Sequence, residues 1–210
     1  MIKRILTILL ICVAASGPAH AEDLRTLFIN MPDSVMPALT RSDRMDFLDF
    51  MDSGMKARAV NKLGGESVMT ALSERMLSVT TSGSGRFDMV LLPRKNSSNL
   101  ICIIKTVTAR YDDSRLAFYN EDWTPVDANQ LIELPKLEDY LTREALRQDS
   151  LSYFMKLSIL RLQSVTPADN TLEFRYTSLD YIGEEADRYR SWIKSGPIIY
   201  TWTGKRFKRK

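Results

Sequence analysis

Apolar and polar positions change their period several times along the 210 residues. Between Arg41 and Asp52, the side chains of Phe50, Phe47, Met51, Leu48 and Met45 cover an arc of roughly 220° at 100° per residue, wider than the stripe of a surface helix. Thr40-Arg41-Ser42-Asp43 has the form of a capping box and Gly54 is a left-handed stop. Residues 41–52 are therefore predicted to form a mostly buried helix, with only the sector of Asp46 and Asp49 facing water. From Met76 the period becomes two. Leu77 and Val79 alternate with polar neighbours, Gly83-Ser84-Gly85 turns the chain, and Phe87, Met89 and Leu91 alternate again, which predicts a β-hairpin. Asn96-Ser97-Ser98-Asn99 turns the chain into a strand from Leu100 to Arg110, and Asp112-Asp113 returns it through Arg115 to Tyr119. The simplest outcome is four antiparallel strands in meander order.

Pro135 opens a second helical stretch, with Leu137, Tyr140 and Leu141 on one face, ending near Asp149-Ser150. Leu151 to Val165 and Thr171 to Leu179 are predicted strands flanking the turn Pro167-Ala168-Asp169-Asn170, since Leu172, Phe174 and Tyr176 alternate with Glu173 and Arg175. Glu184 to Lys194 reads as a short helix with Ala186, Tyr189 and Ile193 on one side. Ile198 to Thr203, Gly204 and Lys205 to Lys208 close the chain as a hairpin. The expected fold class is α+β: antiparallel β-meanders with a few short helices. The order helix, meander, helix, meander divides the chain into an N-terminal α+β half (22–127) and a C-terminal one (128–210). Two similar halves and one continuous domain both fit it.

The first 21 residues read differently. Lys3 and Arg4, the apolar run Ile5 to Ala14 and the A-x-A site Ala19-His20-Ala21 describe a secretory signal peptide over residues 1–21. The run is too short to span a bilayer. The expectation is a periplasmic or secreted protein, cleaved near Ala21, with no transmembrane segment in the mature chain. Cys12 lies inside the apolar run without the small residues that precede a lipid-attachment site, so no lipid anchor is expected. Cleavage removes the only histidine, His20, and one of two cysteines. The other, Cys102, sits in Leu100-Ile101-Cys102-Ile103-Ile104 and reads as a small buried hydrophobe. Alone it forms no internal disulfide. With 44% apolar and 26% charged residues, the remainder is an ordinary globular composition.

The formal net charge is +3, from 29 basic and 26 acidic residues. Lys3 and Arg4 supply two of the basic residues and Lys205 to Lys210 five more, so the rest of the chain is net acidic. A nucleic-acid binder needs a basic face spread over the fold, and nucleic acid is not an expected partner. The basic tail is a candidate for acidic lipid or polysaccharide, set against the commoner fate of a solvated chain end. Without histidine, the mature chain has no Ser-His-Asp or Cys-His catalysis and no histidine-ligated zinc. No G-x-G-x-x-G or G-x-x-x-x-G-K-[ST] pattern is present. Ser53-Gly54-Met55-Lys56 and Ser191-Trp192-Ile193-Lys194 have S-x-x-K spacing, but the S-D-N and K-T-G partners are missing and the first crosses Gly54. Asp43, Asp46, Asp49 and Asp52 recur every three residues, a step that turns a helix by 300° and points them progressively apart. Asp43 is read as serving the helix dipole and Asp46 as solvated. Trp123, Tyr200 and Trp202 are a candidate stacking surface for sugar or peptide, although aromatic residues on strands are more often core. No catalytic, cofactor-binding or metal residue is assigned, and no cofactor is expected.

Leu27-Phe28-Ile29-Asn30-Met31-Pro32-Asp33-Ser34-Val35-Met36-Pro37, followed by Arg44-Met45-Asp46-Phe47 and Asp52, resembles the opening of an uncharacterised family of exported proteins from Bacteroides-type bacteria, domain of unknown function 3256. The resemblance runs the mature length. It implies a Gram-negative envelope and brings no activity, cofactor or site residue. Asp33 and Ser34 read physically as the cap of a short helix through Leu39, with Pro37 in its first turn. The leading expectation is an exported, non-catalytic binding or interaction protein of the bacterial envelope, its partner an unknown envelope protein, peptide or glycan. The alternative is a carboxylate-only enzyme, such as a glycoside hydrolase acting on envelope or dietary glycans. Two carboxylates facing each other across a cleft at about 5 to 10 Å would favour it.

Overall fold

Two helices lead into the first strand. The structure, a computed structural model, describes residues 22–158 and 162–210, and every count below is of those residues. The signal-peptide reading, with Cys12 and His20, lies outside them. Helix α1 (Leu24–Asn30) is capped by Asp23, which accepts from the Thr26 amide. Helix α2 (Arg41–Asp52) has the bounds expected from the sequence. The Thr40 hydroxyl accepts from the Asp43 amide, and the Asp43 carboxylate accepts from the Thr40 amide at 2.7 Å. The buried arc of α2 is narrower than 220°: Phe47 and Leu48 are buried, while Met45 is 41% exposed.

Arg44 is buried in its place, at 1% exposure. Its guanidinium donates to the carbonyls of Ile29, Met31 and Leu39 and to the Asp33 carboxylate. Carbonyls turned inward at a loop need donors, and a long side chain with a forked head supplies several at once. The short helix expected from Asp33 to Leu39 does not form. Asp33 accepts from Arg44 and Lys62 instead of capping a helix, and the segment is a turn in which Val35 donates to the Pro32 carbonyl.

Seven antiparallel strands follow in chain order: β1 (Arg58–Val60), β2 (Glu66–Leu72), β3 (Met76–Ser82), β4 (Gly85–Pro93), β5 (Asn99–Thr108), β6 (Asp112–Tyr119) and β7 (Pro125–Val126). The expected meander is β3 to β6. Asp112 and Asp113 belong to β6, paired with Thr108 and Val107, so the turn falls just before them. On one face of the sheet, Leu77, Val79, Phe87, Met89, Ile101 and Ile103 pack against α1 and α2. On the other, Val90, Leu92, Leu100, Cys102, Ile104 and Phe118 meet a second antiparallel sheet. Its strands are β8 (Gln163–Ala168), β9 (Thr171–Tyr176), β10 (Ile198–Trp202) and β11 (Phe207–Arg209), ordered β11-β10-β9-β8. Strands β4 and β5 thus lie in a middle layer, which explains their nearly unbroken apolar runs. Each large apolar side chain buried there contributes about 1.5–3 kcal/mol. The fold is α+β, with helices, a seven-stranded sheet and a four-stranded sheet in layers. Residues 22–127 hold the first sheet and 128–210 the second, and one apolar cluster is shared between them.

Two segments depart from their predicted elements. Residues 135–149 are not one helix but 3-10 turns at Leu137–Tyr140 and Ala145–Arg147. The chain between them is extended: Leu141 bridges Ile193, Thr142 donates to the Trp192 carbonyl and Lys194 donates to that of Tyr140. The predicted strand Leu151 to Val165 begins as a helix, α3 (Leu151–Leu157), and becomes strand only from Gln163. Phe154 of α3 lies against Tyr189 and Trp192, with ring centroids 4.8 and 5.5 Å away. The expected 184–194 helix is a short α4 (Ala186–Tyr189) between 3-10 turns. No described helix is long and apolar enough to cross a membrane.

The edge strand β8 is fastened to the first sheet by side chains. The Val165 amide donates to the Ser114 hydroxyl, and the Val165 carbonyl accepts from Arg86. Arg86 is oriented by Asp88, which also accepts from Ser78 at 2.6 Å. Asp88 is a buried carboxylate, and its burial is compensated by these charge-assisted bonds.

Candidate functional site

Three segments far apart in sequence meet at the C-terminal hairpin. Trp202 and Phe207 are register partners across β10 and β11, with ring centroids 5.1 Å apart. The Trp202 indole donates to the Pro93 carbonyl at 2.7 Å, which holds the hairpin to the β4–β5 turn. The Phe207 amide donates to the Leu131 carbonyl at 2.7 Å, which holds it to the loop after the 3-10 turn Ala128–Gln130. At the tip of the hairpin Gly204 has φ +83°, and a Cβ there would lie 3.3 Å from Cγ of Lys95. Glycine thus both permits the turn and lets the Lys95 stem lie close over it.

These attachments shape a cleft of about 630 Å³ whose lining includes Lys95, Lys205, Arg206 and Lys208, with Gln130 and Thr203. No carboxylate lines it. None of the four cations is ion-paired among the described residues. Arg206 and Lys208 also line a neighbouring cleft of about 590 Å³, where Glu133 and Asp139 face Lys136 and Arg209. One ion pair is closed inside it: the Arg209 guanidinium bonds the Asp139 carboxylate. Burial alone would raise the Asp139 carboxyl, but the Lys136 amide and Arg209 outweigh it and hold it below the usual range. The Tyr200 hydroxyl donates to the Glu133 carbonyl at 2.7 Å, and burial pushes its pKa up, so it stays a neutral donor. The first cleft therefore offers unpaired positive charge beside amide and hydroxyl groups, an arrangement suited to anionic groups carried on a polar chain.

Of the cations lining the first cleft, the sequence marks only those of the basic tail. The tail is not a solvated end throughout, because Phe207 is buried and β11 is paired. Lys95 and Gln130 carried no signal of their own. The aromatic platform expected from Trp123, Tyr200 and Trp202 is not assembled. Tyr200 and Trp202 are buried in the inter-sheet cluster, and Trp123 packs beside Tyr119 against the helix-side core. The aromatic pair nearer the surface is Tyr111 with Tyr181, centroids 4.6 Å apart, and Arg110 lies 5.3 Å from the Tyr111 ring.

The remaining candidates are dispersed. Ser53 donates to the Asp49 carbonyl, and the Lys194 ammonium donates to the Asp139 carbonyl. Asp43 serves the capping box, Asp52 pairs with Arg25, and Asp46 and Asp49 are exposed. Burial pushes the Cys102 thiol well up, with the Asp88 charge adding to it, so the sulfur is an unreactive packing group. Among the described residues, no group of three or more His, Cys, Asp or Glu side chains is placed to hold a metal. A cleft of about 460 Å³ is lined by the β2–β3 and β8–β9 turns and includes Glu74 and Asp169. Arg75 links the two turns by donating to the Asn170 side chain, and also donates to the Leu91 carbonyl of β4.

A family model described as a protein of unknown function (DUF3256) matches residues 17–207. Among solved structures, the chain is similar to a domain of an uncharacterized protein from Porphyromonas gingivalis W83. The two are 26% identical, with a TM-score of 0.79, and the match covers 89% of this chain and 98% of the other. No curated protein matches the chain.

Proposed function

The chain belongs to the DUF3256 family of proteins of unknown function, and from that premise we propose a function on its own geometry. It is an exported, non-catalytic binding protein of the bacterial envelope, and its ligand is an acidic glycan held in the cleft along the C-terminal hairpin. The observation that carries this reading is the set of four unpaired cations, Lys95, Lys205, Arg206 and Lys208, converging on one concave surface. A polyanionic chain enters such a notch, whereas a flat bilayer does not. Gln130 and Thr203 add hydrogen-bonding partners for sugar hydroxyls.

Titration calorimetry with polygalacturonate, and with neutral dextran as the control, tests it. Polygalacturonate should bind and dextran should not. Binding should weaken as salt rises, because exposed charges are screened beyond about 8 Å at physiological ionic strength. Lys95→Ala with Lys205→Ala, both exposed, should weaken binding by about tenfold or more, the equivalent of about 1.4 kcal/mol. Equal affinity for dextran, or no loss in the double variant, would sink the reading.

A second reading, a carboxylate-only glycoside hydrolase, has one observation in its favour: Glu74 and Asp169, from different turns, both line a single cleft. Glycan hydrolysis abolished by Glu74→Gln or Asp169→Asn would establish it over the first.

A further inference from the structure

Glu22, the residue after Ala19-His20-Ala21, is held at both of its backbone polar groups. Its nitrogen donates to Oε1 of Glu121 at 3.2 Å, and its carbonyl accepts from the Asn99 side chain at 3.3 Å. The same Glu121 oxygen accepts the Asn99 amide and side-chain N–H, both at 3.0 Å. The next residue, Asp23, caps α1, and α1 is anchored through buried Leu24, Leu27 and Phe28. The position of the Glu22 nitrogen is thus fixed from either side. Glu121 is half-buried, and among the described residues all its partners are uncharged N–H donors. A carboxylate in such a place is short of a counter-charge.

We propose that the Ala21–Glu22 peptide bond is the processing site, and that the α-ammonium released there is the missing counter-charge for Glu121. An envelope leader peptidase adds water across the amide. The C–N bond breaks, Ala21 leaves as a carboxylate, and the Glu22 nitrogen takes up protons to become an ammonium with three donors. Cleavage converts a hydrogen bond from an uncharged amide to the Glu121 carboxylate into an ion pair, and ties the first residue of the mature chain to the turn between β6 and β7. The inference rests on the export reading, and it adds a partner for the new terminus.

The test starts from the full chain produced in a Gram-negative host. Mass spectrometry of the envelope fraction should find a chain beginning at Glu22. A chain kept whole in the cytoplasm would overturn the export reading itself, and an exported chain beginning elsewhere would overturn the site. Glu121→Gln is then compared in the processed chain and in a leader-retaining Ala21→Phe chain. The substitution should lower the melting temperature of the processed form by about 1 to 3 °C, as expected of a partly exposed pair, and leave the leader-retaining form nearly unchanged. Where the leader-retaining chain does not fold, processed protein acetylated at its α-amine takes its place. Equal shifts in the charged and blocked forms would overturn the ion pair even if cleavage falls at Glu22.

Discussion

Trp202 joins two roles at one position: its ring closes the inter-sheet cluster beside Phe207, and its indole N–H reaches the Pro93 carbonyl. Trp202→Ala should cost about 3–5 kcal/mol, because a large core side chain is lost and its cavity refills only in part. Trp202→Phe retains most of the packing but leaves the Pro93 carbonyl without its donor, and should cost about 1–3 kcal/mol. Thermal melts of the two variants separate packing from the hydrogen bond, and an unchanged melting temperature for Trp202→Ala would refute the core placement. Because the same bond holds the hairpin against the β4–β5 turn, both variants should also weaken polygalacturonate binding. Ile198, Tyr200 and Trp202 alternate with Ile199, Thr201 and Thr203, a local pattern that fits a strand with one buried face. The indole bond to Pro93 lies 109 positions away in sequence, and no local pattern announces it.

At the scale of elements, legibility followed how local the determining interactions are. Helix α2 was readable because its capping box and glycine stop lie within the segment itself. Thr40→Ala removes the side-chain half of that box and should cost about 1 kcal/mol, seen as a drop of about 2 to 4 °C in melting temperature. Strand β2 was missed because Ser67 occupies a buried position while Val68 is only partly buried, which inverts the apolar signal. Helix α3 was misread because Leu151, Tyr153, Met155 and Leu157 alternate like a strand. What decides the segment is Phe154, which docks among Tyr189 and Trp192 from a later part of the chain. The 135–149 segment failed for a similar reason, since its backbone partners lie at 192–194. The basic cleft was legible only in the run Lys205 to Lys208. Lys95 joins it through the close approach to Gly204, which depends on tertiary packing.

Over the whole molecule, several carboxylates tie separate elements together, and their pairing makes a contribution to stability that depends on pH. Asp33 is held below its ordinary range by Lys62 and Arg44, Asp52 by Arg25, and Asp139 by the Lys136 amide and Arg209 against the opposing effect of burial. A carboxyl depressed in the folded state contributes stability that is present above its unfolded value, about 3.9 for aspartate. That stability is lost as pH falls through the lower folded value. Melting temperature should therefore fall as pH drops below about 4, and less steeply in Asp33→Asn, which has no charge to lose. The middle layer has a further consequence, one of timing. The first sheet is a run of successive hairpins, but the face bearing Val90, Leu92, Leu100, Cys102 and Ile104 is covered by segments that follow it in the chain, ending with Trp202 and Phe207. Until those segments emerge, a ladder of apolar side chains stands open to other chains, the condition under which nascent β-proteins self-associate. In a chain exported as proposed, that interval falls during passage across the inner membrane, so the last residues to cross are the ones that make the first sheet safe from aggregation.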